Sequence, residues 1–372
     1  MTTENYPEQI TIQGVPIRLP AFLPDATFGV VRSVDANDLL SCQVQAVMMN
    51  SFHLMQKPGS STVQALGGLH RMSAWEKPIF TDSGGFQAYS LIRQVPNYGK
   101  ITDKGLSFTP EGSGRKYQLT PEKSIQLQMS YDANVVICLD DCTHVNATYE
   151  EQKLSVTRTI DWARLAKTTY NHLLEQKKIE DKQRPLIFAV IQGGGVKDLR
   201  KQCAESLLEI GFDGFGFGGW PLDADSNLLE DILAYTRSLV PPSFPMHALG
   251  IGHPDNLLSS YEMGYGLFDS AMPTRDARHG RLYVFTESAR GQDAGLSGEW
   301  KHYLYINDES HIKSGEPVSP YCDCLCCQHY SRGYLRHLFK MGDTLFYRLA
   351  TLHNLRFMTQ LTERIRMRDY DR

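Results

Sequence analysis

Two groups of residues in this sequence have the types and spacing to do chemistry. The first is a cluster of thiols: Cys322, Cys324, Cys326 and Cys327 fall within six residues, and His353 follows Cys327 by 26 positions in a stretch of helical pattern. Cysteines this close do not readily bridge one another. Cys322-x-Cys324-x-x-Cys327 supplies three thiolates from one loop, and with His353 they make a closed tetrahedral zinc (Zn2+) site, structural because no coordination position remains for water. Cys326 is a rival member, since Cys322-x-x-x-Cys326 is also a workable pairing. The second group is acidic. Thr81-Asp82-Ser83-Gly84-Gly85-Phe86-Gln87 sets a carboxylate beside a glycine turn that a flat ligand can approach closely. Phe86 can stack on such a ligand or pack in the core. Asp140 and Asp269 close two further apolar runs in the same manner. Carboxylates converging on one pocket provide acid/base or nucleophilic capacity; capping the following helix is the other use of Asp at such a position.

These acids are far apart in the chain, so their meeting depends on the elements that carry them. Eight short apolar runs recur, most of them followed by helical patterns: Pro20–Pro24, Ala46–Asn50, Pro78–Asp82, Val135–Asp140, Leu186–Gln192, Gly214–Gly219, Met246–Gly250 and Leu267–Asp269. Thr120-Pro121-Glu122 opens one helix with a cap residue and proline at the first position. Thr148–Leu174, Leu199–Ile210 (with Asp198 as its cap and Gly211 ending it) and Asp225–Leu239 read as three more. Strands that are continuously apolar and alternate with helices imply a parallel sheet covered on both faces. The expected fold is therefore α/β, a (β/α)8 TIM barrel, with a doubly wound open sheet as the runner-up. The expected division is an amino-terminal hairpin over residues 1–19 capping the barrel, a catalytic barrel core over 20–275, and a zinc-binding subdomain with carboxyl-terminal helices completing the barrel over 276–372. Residues 88–118 are polar and too long for a routine loop, a functional insertion of lid type. In such a barrel the active site lies at the carboxyl ends of the strands, where this sequence places Asp82, Asp140, Gln192, Gly219, Gly250 and Asp269.

The composition narrows the class further. With 41% hydrophobic and 22% charged residues the chain can bury a large core, which excludes disorder. No apolar run approaches the roughly 18–20 residues of a membrane span, so no membrane partner is expected. The start, Met1-Thr2-Thr3-Glu4-Asn5, has no signal-peptide pattern, which makes the cytoplasm the default compartment. A net charge of −4 tells against a generally basic protein but leaves room for a local basic face. Arg332, Arg336, Arg348, Arg356, Arg364, Arg366 and Arg368, with Lys340, have a helical spacing that could line such a face; a solvated helix surface is the alternative.

Taken in order, Thr81 to Gln87, Asp140-Asp141-Cys142, Ile191-Gln192-Gly193, Gly218-Gly219, Phe268-Asp269, Pro273-Thr274-Arg275 and the Cys322/Cys324/Cys327/His353 set resemble the tRNA-guanine transglycosylases of bacterial type. That resemblance spans about residue 20 to 355. It implies an enzyme, a pentosyltransferase of queuosine biosynthesis, that exchanges guanine at the tRNA wobble position for a 7-deazaguanine base. It implies Asp269 as the nucleophile on the ribose and Asp82 as the general acid/base, in two displacements that retain configuration. It further implies Asp140, Gln192, Gly219, Phe86 and Leu249 around the base, Thr274, Arg275 and Arg278 on the tRNA, one structural zinc per subunit, and a homodimer. Trp220-Pro221-Leu222-Asp223-Ala224-Asp225 departs from the family, which has Leu and a small residue there and then Gly-Glu. Pro221 has no N–H, so the peptide before it can only accept a hydrogen bond. The expected imported base therefore carries a cationic 7-aminomethyl group, balanced by Asp223 or Asp225, or is the larger queuine. Competing readings are a non-catalytic tRNA-binding subunit, a DNA-acting paralogue, and a barrel hydrolase with catalytic zinc.

Overall fold

A computed structural model describes residues 6–94, 99–109, 114, 116–144, 146–223, 225–287 and 295–370. The chain opens with strands β1 (Gln9–Ile12) and β2 (Val15–Arg18), paired antiparallel. Their two-residue turn, Gln13-Gly14, has positive φ at both positions, the backbone that matches a hairpin's twist. Ile10, Ile12, Ile17 and Leu19 are buried in one cluster with the residues inside the barrel, so the hairpin closes the barrel's amino-terminal end.

Eight parallel strands follow: β3 (Ala21–Pro24), β4 (Val47–Asn50), β5 (Ile79–Asp82), β9 (Val135–Ile137), β10 (Leu186–Ile191), β11 (Gly214–Phe217), β12 (Met246–Ala248) and β13 (Leu267–Ser270). They are hydrogen-bonded in the order β3-β13-β12-β11-β10-β9-β5-β4, and a parallel bridge between Asp25 and Met48 joins β3 to β4. The ring is closed, as expected for a (β/α)8 barrel, and the open-sheet reading is set aside. The continuous apolar runs follow from burial on both faces. Met48, Phe80, Val135, Ile137, Phe188, Val190 and Leu267 fill the interior, while Val47, Met49, Ile79, Val136, Ile187, Ala189 and Phe268 meet the helices outside.

The helices start close to where capping chemistry puts them, with two exceptions. Thr120 accepts from the Lys123 N–H, and Thr148 forms a capping box with Glu151 at the head of Tyr149–Lys177. Asp198 is no cap: the helix runs Lys197–Ile210 and Asp198 lies in its first turn. The helix expected from Asp225 instead spans Glu230–Ser238. Asp223 holds the preceding segment in a turn, its Oδ1 accepting from the N–H groups of Asp225 and Asn227 at 2.9 and 2.8 Å.

Part of residues 88–118 lies outside the described residues (95–98, 110–113 and 115). The described part is a packed element rather than a loose cover. Strands β6 (Gly99–Thr102), β7 (Gly105–Phe108) and β8 (Tyr117–Leu119) form an antiparallel sheet. Leu106, Phe108 and Leu119 share a buried cluster with Phe52, Ala88, Leu139 and Trp162. Asp103 pins the β6–β7 turn to the helix Tyr149–Lys177, its carboxylate on Arg158 (2.9 Å) and its carbonyl on the Trp162 indole N–H (2.7 Å).

After β13 come the helix Met272–Arg278, the antiparallel pair β14 (Arg281–Phe285) and β15 (Lys301–Tyr305), and helices Leu325–His329, Arg332–Met341 and Thr344–Tyr370. The last helix returns to the barrel, packing against Pro254–Glu262 on one side, the early helix Ala36–Ser41 on the other, and β3 beneath. The arginines of this region do not line up on one outward face but are tied to different parts of the chain. Arg348 is bidentate on Asp38 (2.8 and 2.6 Å) and Arg368 pairs with Glu262. Arg356, 4% exposed, holds both Asp323 and Glu363. Arg332, Arg336, Arg364 and Arg366 donate to backbone carbonyls. Arg348, Arg366 and Arg368 tie the last helix to the barrel through Asp38, the Pro20 carbonyl and Glu262, while Arg332 and Arg336 join segments within the module. Among the described residues no helix is long and apolar enough to cross a membrane.

Candidate active site and metal centre

Alternation along the strands explains which side chains reach the barrel mouth. Asn50, Asp82, Gln192 and Asp269 each lie two residues beyond an interior apolar residue (Met48, Phe80, Val190 and Leu267), so each points inward one layer higher. Asp82, at the end of its strand, is partly buried. It accepts from Asn50 Nδ2 at 3.0 Å and from the Gln87 amide, and its carboxyl is pushed up to about 6, first by burial and then by the negative charge of Asp269. Gly84, at φ +84°, makes this turn possible: a Cβ there would lie 2.4 Å from Phe52 Cβ. Asp140 follows β9 and accepts from Gln192 Nε2 at 2.6 Å. Burial is again the main cause of its rise to about 7, with Asp82 and Asp141 adding repulsion. Asp269 accepts at one oxygen from the Gly250 N–H (3.0 Å) and from His247 Nε2 (2.9 Å). The three acids thus stand at the same end of the barrel, near enough that Asp269 acts on Asp82 and Asp82 on Asp140.

Gln192 is fully buried and its Oε1 has no hydrogen-bond partner. Gly218 lies directly under this amide, where a Cβ would come within 2.6 Å of Nε2. Gly219, at φ +89°, turns the chain after β11. Phe86 and Trp220 are half-exposed at the rim with ring centroids 5.4 Å apart, and His144 meets the other side of Trp220 at 5.9 Å. Leu249 packs on the interior cluster beneath them. Downstream of Asp269, Arg275 is exposed and Arg278 is partly buried with Nη1 lacking a partner. Thr274 departs from its expected place on the surface: it is 2% exposed and its hydroxyl donates to the Ala271 carbonyl, so it shapes the turn and offers nothing outward. Asp141 likewise faces away from the barrel mouth, paired with Arg158 at 3.2 Å.

Sequence reasoning missed four residues. Asn50 and Asp25 end apolar runs as Asp82 does, and the same strand-end argument would have found them. The Asp25 carboxyl is raised, mainly by burial and partly by Asp269. His247 was legible only as a lone polar residue inside an apolar strand. Arg200 sits in a helix, where the sequence gives no hint of its role. It is 1% exposed, stacks on Phe217, and donates to the carbonyls of Ile191, Gly194 and Gly218 at 2.6–2.9 Å. One guanidinium therefore ties together the two loops that carry Gln192 and Gly219, with burial lowering its pKa to about 10.

Burial favours the protonated forms of Asp82 and Asp140, so the fold loses stability as pH rises through neutrality. In the unfolded chain both titrate near 3.8, whereas the folded protein retains their protons until about pH 6 and 7. Their stabilising effect is therefore complete below about pH 4 and lost as pH rises through 7. Asp140→Asn should melt above the parent at pH 8, by an amount on the order of 2–4 kcal/mol, and level with it at pH 4. Calorimetry at the two pH values checks this; an equal difference at both would show that the carboxyl is not responsible.

The second centre lies in the carboxyl-terminal part of the chain. Ligand atoms of Cys322, Cys324, Cys327 and His353, all buried, lie within 4.8 Å of one another. A tetrahedral thiolate–zinc cage has edges of roughly 3.7 Å, and His353 Nδ1 is 3.8 and 3.2 Å from the Cys324 and Cys327 sulfurs. His353 Nε2 donates to the Tyr283 carbonyl at 2.7 Å, leaving Nδ1 as the free acceptor a metal requires. Cys326 is buried outside the set, which resolves the rival pairing. These residues fit a metal ion, and their closed set leaves no position for substrate, against the catalytic-zinc reading.

A closed parallel barrel with three carboxylates at its mouth and a buried Cys3His cluster that can hold a metal ion defines a barrel enzyme. The sequence pattern of the family described as "Queuine tRNA-ribosyltransferase" matches residues 8–368. A queuine tRNA-ribosyltransferase of a Psychrobacter species is 36% identical, over 96% of this chain and 88% of its own length. Those of Halothermothrix orenii and Acinetobacter baylyi are 35% and 34% identical, over 94% and 96% of this chain and 86% of each relative. The chain belongs to the queuine tRNA-ribosyltransferase family, and is a pentosyltransferase.

Proposed function

We propose that this chain exchanges guanine at the wobble position of tRNA for a 7-deazaguanine by double displacement. The observation that carries the proposal is that Asp82 and Asp269, at the carboxyl ends of two strands of one closed barrel, both stand on the inward face one layer above the interior residues Phe80 and Leu267, with the charge of Asp269 acting on Asp82. Asp269 attacks the ribose anomeric carbon, and Asp82, with a pKa of about 6, gives the departing base a proton and later takes one from the incoming base. Asp140 accepts from the ring N–H and exocyclic amine of the base. The second N–H of the Gln192 amide and the Gly219 N–H donate to its carbonyl, Phe86 covers its face, and Leu249 lies beneath. Adenine would leave these buried groups unpaired. Arg275 and Arg278 contact the anticodon-loop backbone. Zn2+ is the metal that a closed Cys3His set favours; held by Cys322, Cys324, Cys327 and His353, it supplies structural cross-linking. The functional unit is a homodimer.

The imported base carries a cationic 7-aminomethyl group or is queuine. The peptide between Trp220 and Pro221 has a carbonyl and no N–H to offer. Asp223 is committed to its own turn, held by Asp225 and Asn227, which leaves that carbonyl and the Asp225 carboxylate as the acceptors. Release of labelled guanine from tRNA, with aminomethyl, nitrile and queuine bases supplied in turn, tests the reading. The aminomethyl base should be used at least ~10-fold better than the nitrile. Efficient use of the nitrile base refutes the argument from Pro221, and no exchange with any base refutes the proposed reaction.

A further inference from the structure

His247 lies in β12, fully buried, inside the barrel. It pairs in register with Leu267 on β13, so Asp269, two residues further along that strand, stands on the same face one layer above it. Its Nε2 is 2.9 Å from Asp269 Oδ1, and the Gly250 N–H donates to that same oxygen at 3.0 Å. Asp269 Oδ2 receives no hydrogen bond among the described residues. His247 Nδ1 is buried with no partner. A carboxylate has no proton to give, so Nε2 donates. The bare Nδ1 fits the neutral ring, because a charged ring would bury an N–H with no acceptor. Phe80 meets the imidazole edge-on at 6.2 Å and limits its rotation.

We propose that His247 is a positioning residue for the transfer reaction: with the Gly250 N–H it anchors Asp269 Oδ1, so that Oδ2 is the atom that bonds to the ribose. The inference rests on Asp269 being the nucleophile. In the first displacement an Oδ2 lone pair forms the bond to the anomeric carbon. The bond to guanine breaks with its electron pair going to the base, which takes a proton from Asp82. Oδ1 becomes the carbonyl oxygen of the ester and keeps both donors. In the second displacement the incoming base gives its proton to Asp82 and attacks the same carbon, and the ester's bonding pair returns to Oδ2. The donors on Oδ1 hold the carboxylate in one orientation through both steps, and a nucleophile displaced by even about 1 Å can lose on the order of 100-fold in rate.

Three substitutions in the full-length protein test this, read by kcat and KM for tRNA, by the denaturation-stable protein–tRNA adduct, and by thermal melting. His247→Met keeps the volume and removes the donor; kcat should fall about 10- to 100-fold while KM changes less than about 3-fold. His247→Gln places an amide N–H near the lost Nε2 and should recover kcat to within about 5-fold of the parent. A His247→Met enzyme as fast as the parent overturns the inference. So does a His247→Gln enzyme that melts like the parent but is as slow as the methionine variant, since that pattern marks packing alone. Asp269→Asn run in parallel separates the two readings: an adduct that survives it refutes the nucleophile assignment itself, whatever the His247 variants do.

Discussion

Asp269→Asn should lower guanine exchange by about 10,000-fold or more and leave no adduct between protein and tRNA on a denaturing gel. Asparagine has nearly the same shape, and its oxygen can still accept from Gly250 and His247, so the fold and the pocket should survive. It lacks the charge and the lone-pair reactivity of a carboxylate, and the amide cannot form the glycosyl ester. Asp82, Asp140 and the base contacts remain, so the variant should still bind tRNA and the free base with near-parent affinity. That combination, intact binding with absent chemistry, distinguishes an enzyme from a tRNA-binding subunit that uses the same surface. Adduct formation at the parent level would remove Asp269 from the mechanism.

The second large effect concerns the cage. Purified protein should contain one zinc per chain. Cys327→Ser, or prolonged exposure to a strong chelator, should remove the metal and lower the melting temperature by ~10 °C or more. Structural zinc contributes about 10–16 kcal/mol in small modules that have no other core. Here the module also buries Leu282, Val284, Leu304, Ile306, Val318, Leu335, Phe346 and Leu349 together, so only part of its stability depends on the ion. The effect should nevertheless reach the barrel, because His353 belongs to the helix that packs on β3 and also holds the carbonyl of Tyr283. Thiol titration would then find Cys322 and Cys324 newly reactive. Protein that carries no stoichiometric metal, or that melts unchanged after chelation, would contradict this account.

The barrel was legible in the sequence because burial on both faces leaves no alternation to hide it: Val135 to Leu139 and Leu186 to Ile191 are apolar throughout, and polar residues appear only where the strands emerge. Asp82, Asp140, Gln192 and Asp269 were found by that rule. Residues whose placement depends on a distant partner were not. Arg200 reads as one more charge on an amphipathic helix, and only the folded chain shows its guanidinium turned inward onto three carbonyls. The arginines after residue 330 show the reverse error: helical spacing suggested a common outward face, but acidic residues from remote segments, such as Asp38 and Glu262, draw them into the protein. Asp225 seemed to begin a helix because nothing local announces that the Asp223 carboxylate will draw in the N–H groups of Asp225 and Asn227.

The helix Thr344–Tyr370 completes the ring of helices, yet the whole module of residues 281–341 is threaded between it and the last barrel strand. During translation all eight strands emerge well before the segment that must cover the seam between Ala36–Ser41 and Pro254–Glu262. Until that segment leaves the ribosome, the outer face of β3, with Phe22, stays bare of the partners it has in the folded protein, Leu355, Met358 and Leu361 among the residues of the same core. The nascent barrel therefore waits, with an uncovered apolar groove, for the last part to arrive. Apolar surface left bare in this way is what makes a partly folded chain prone to aggregate.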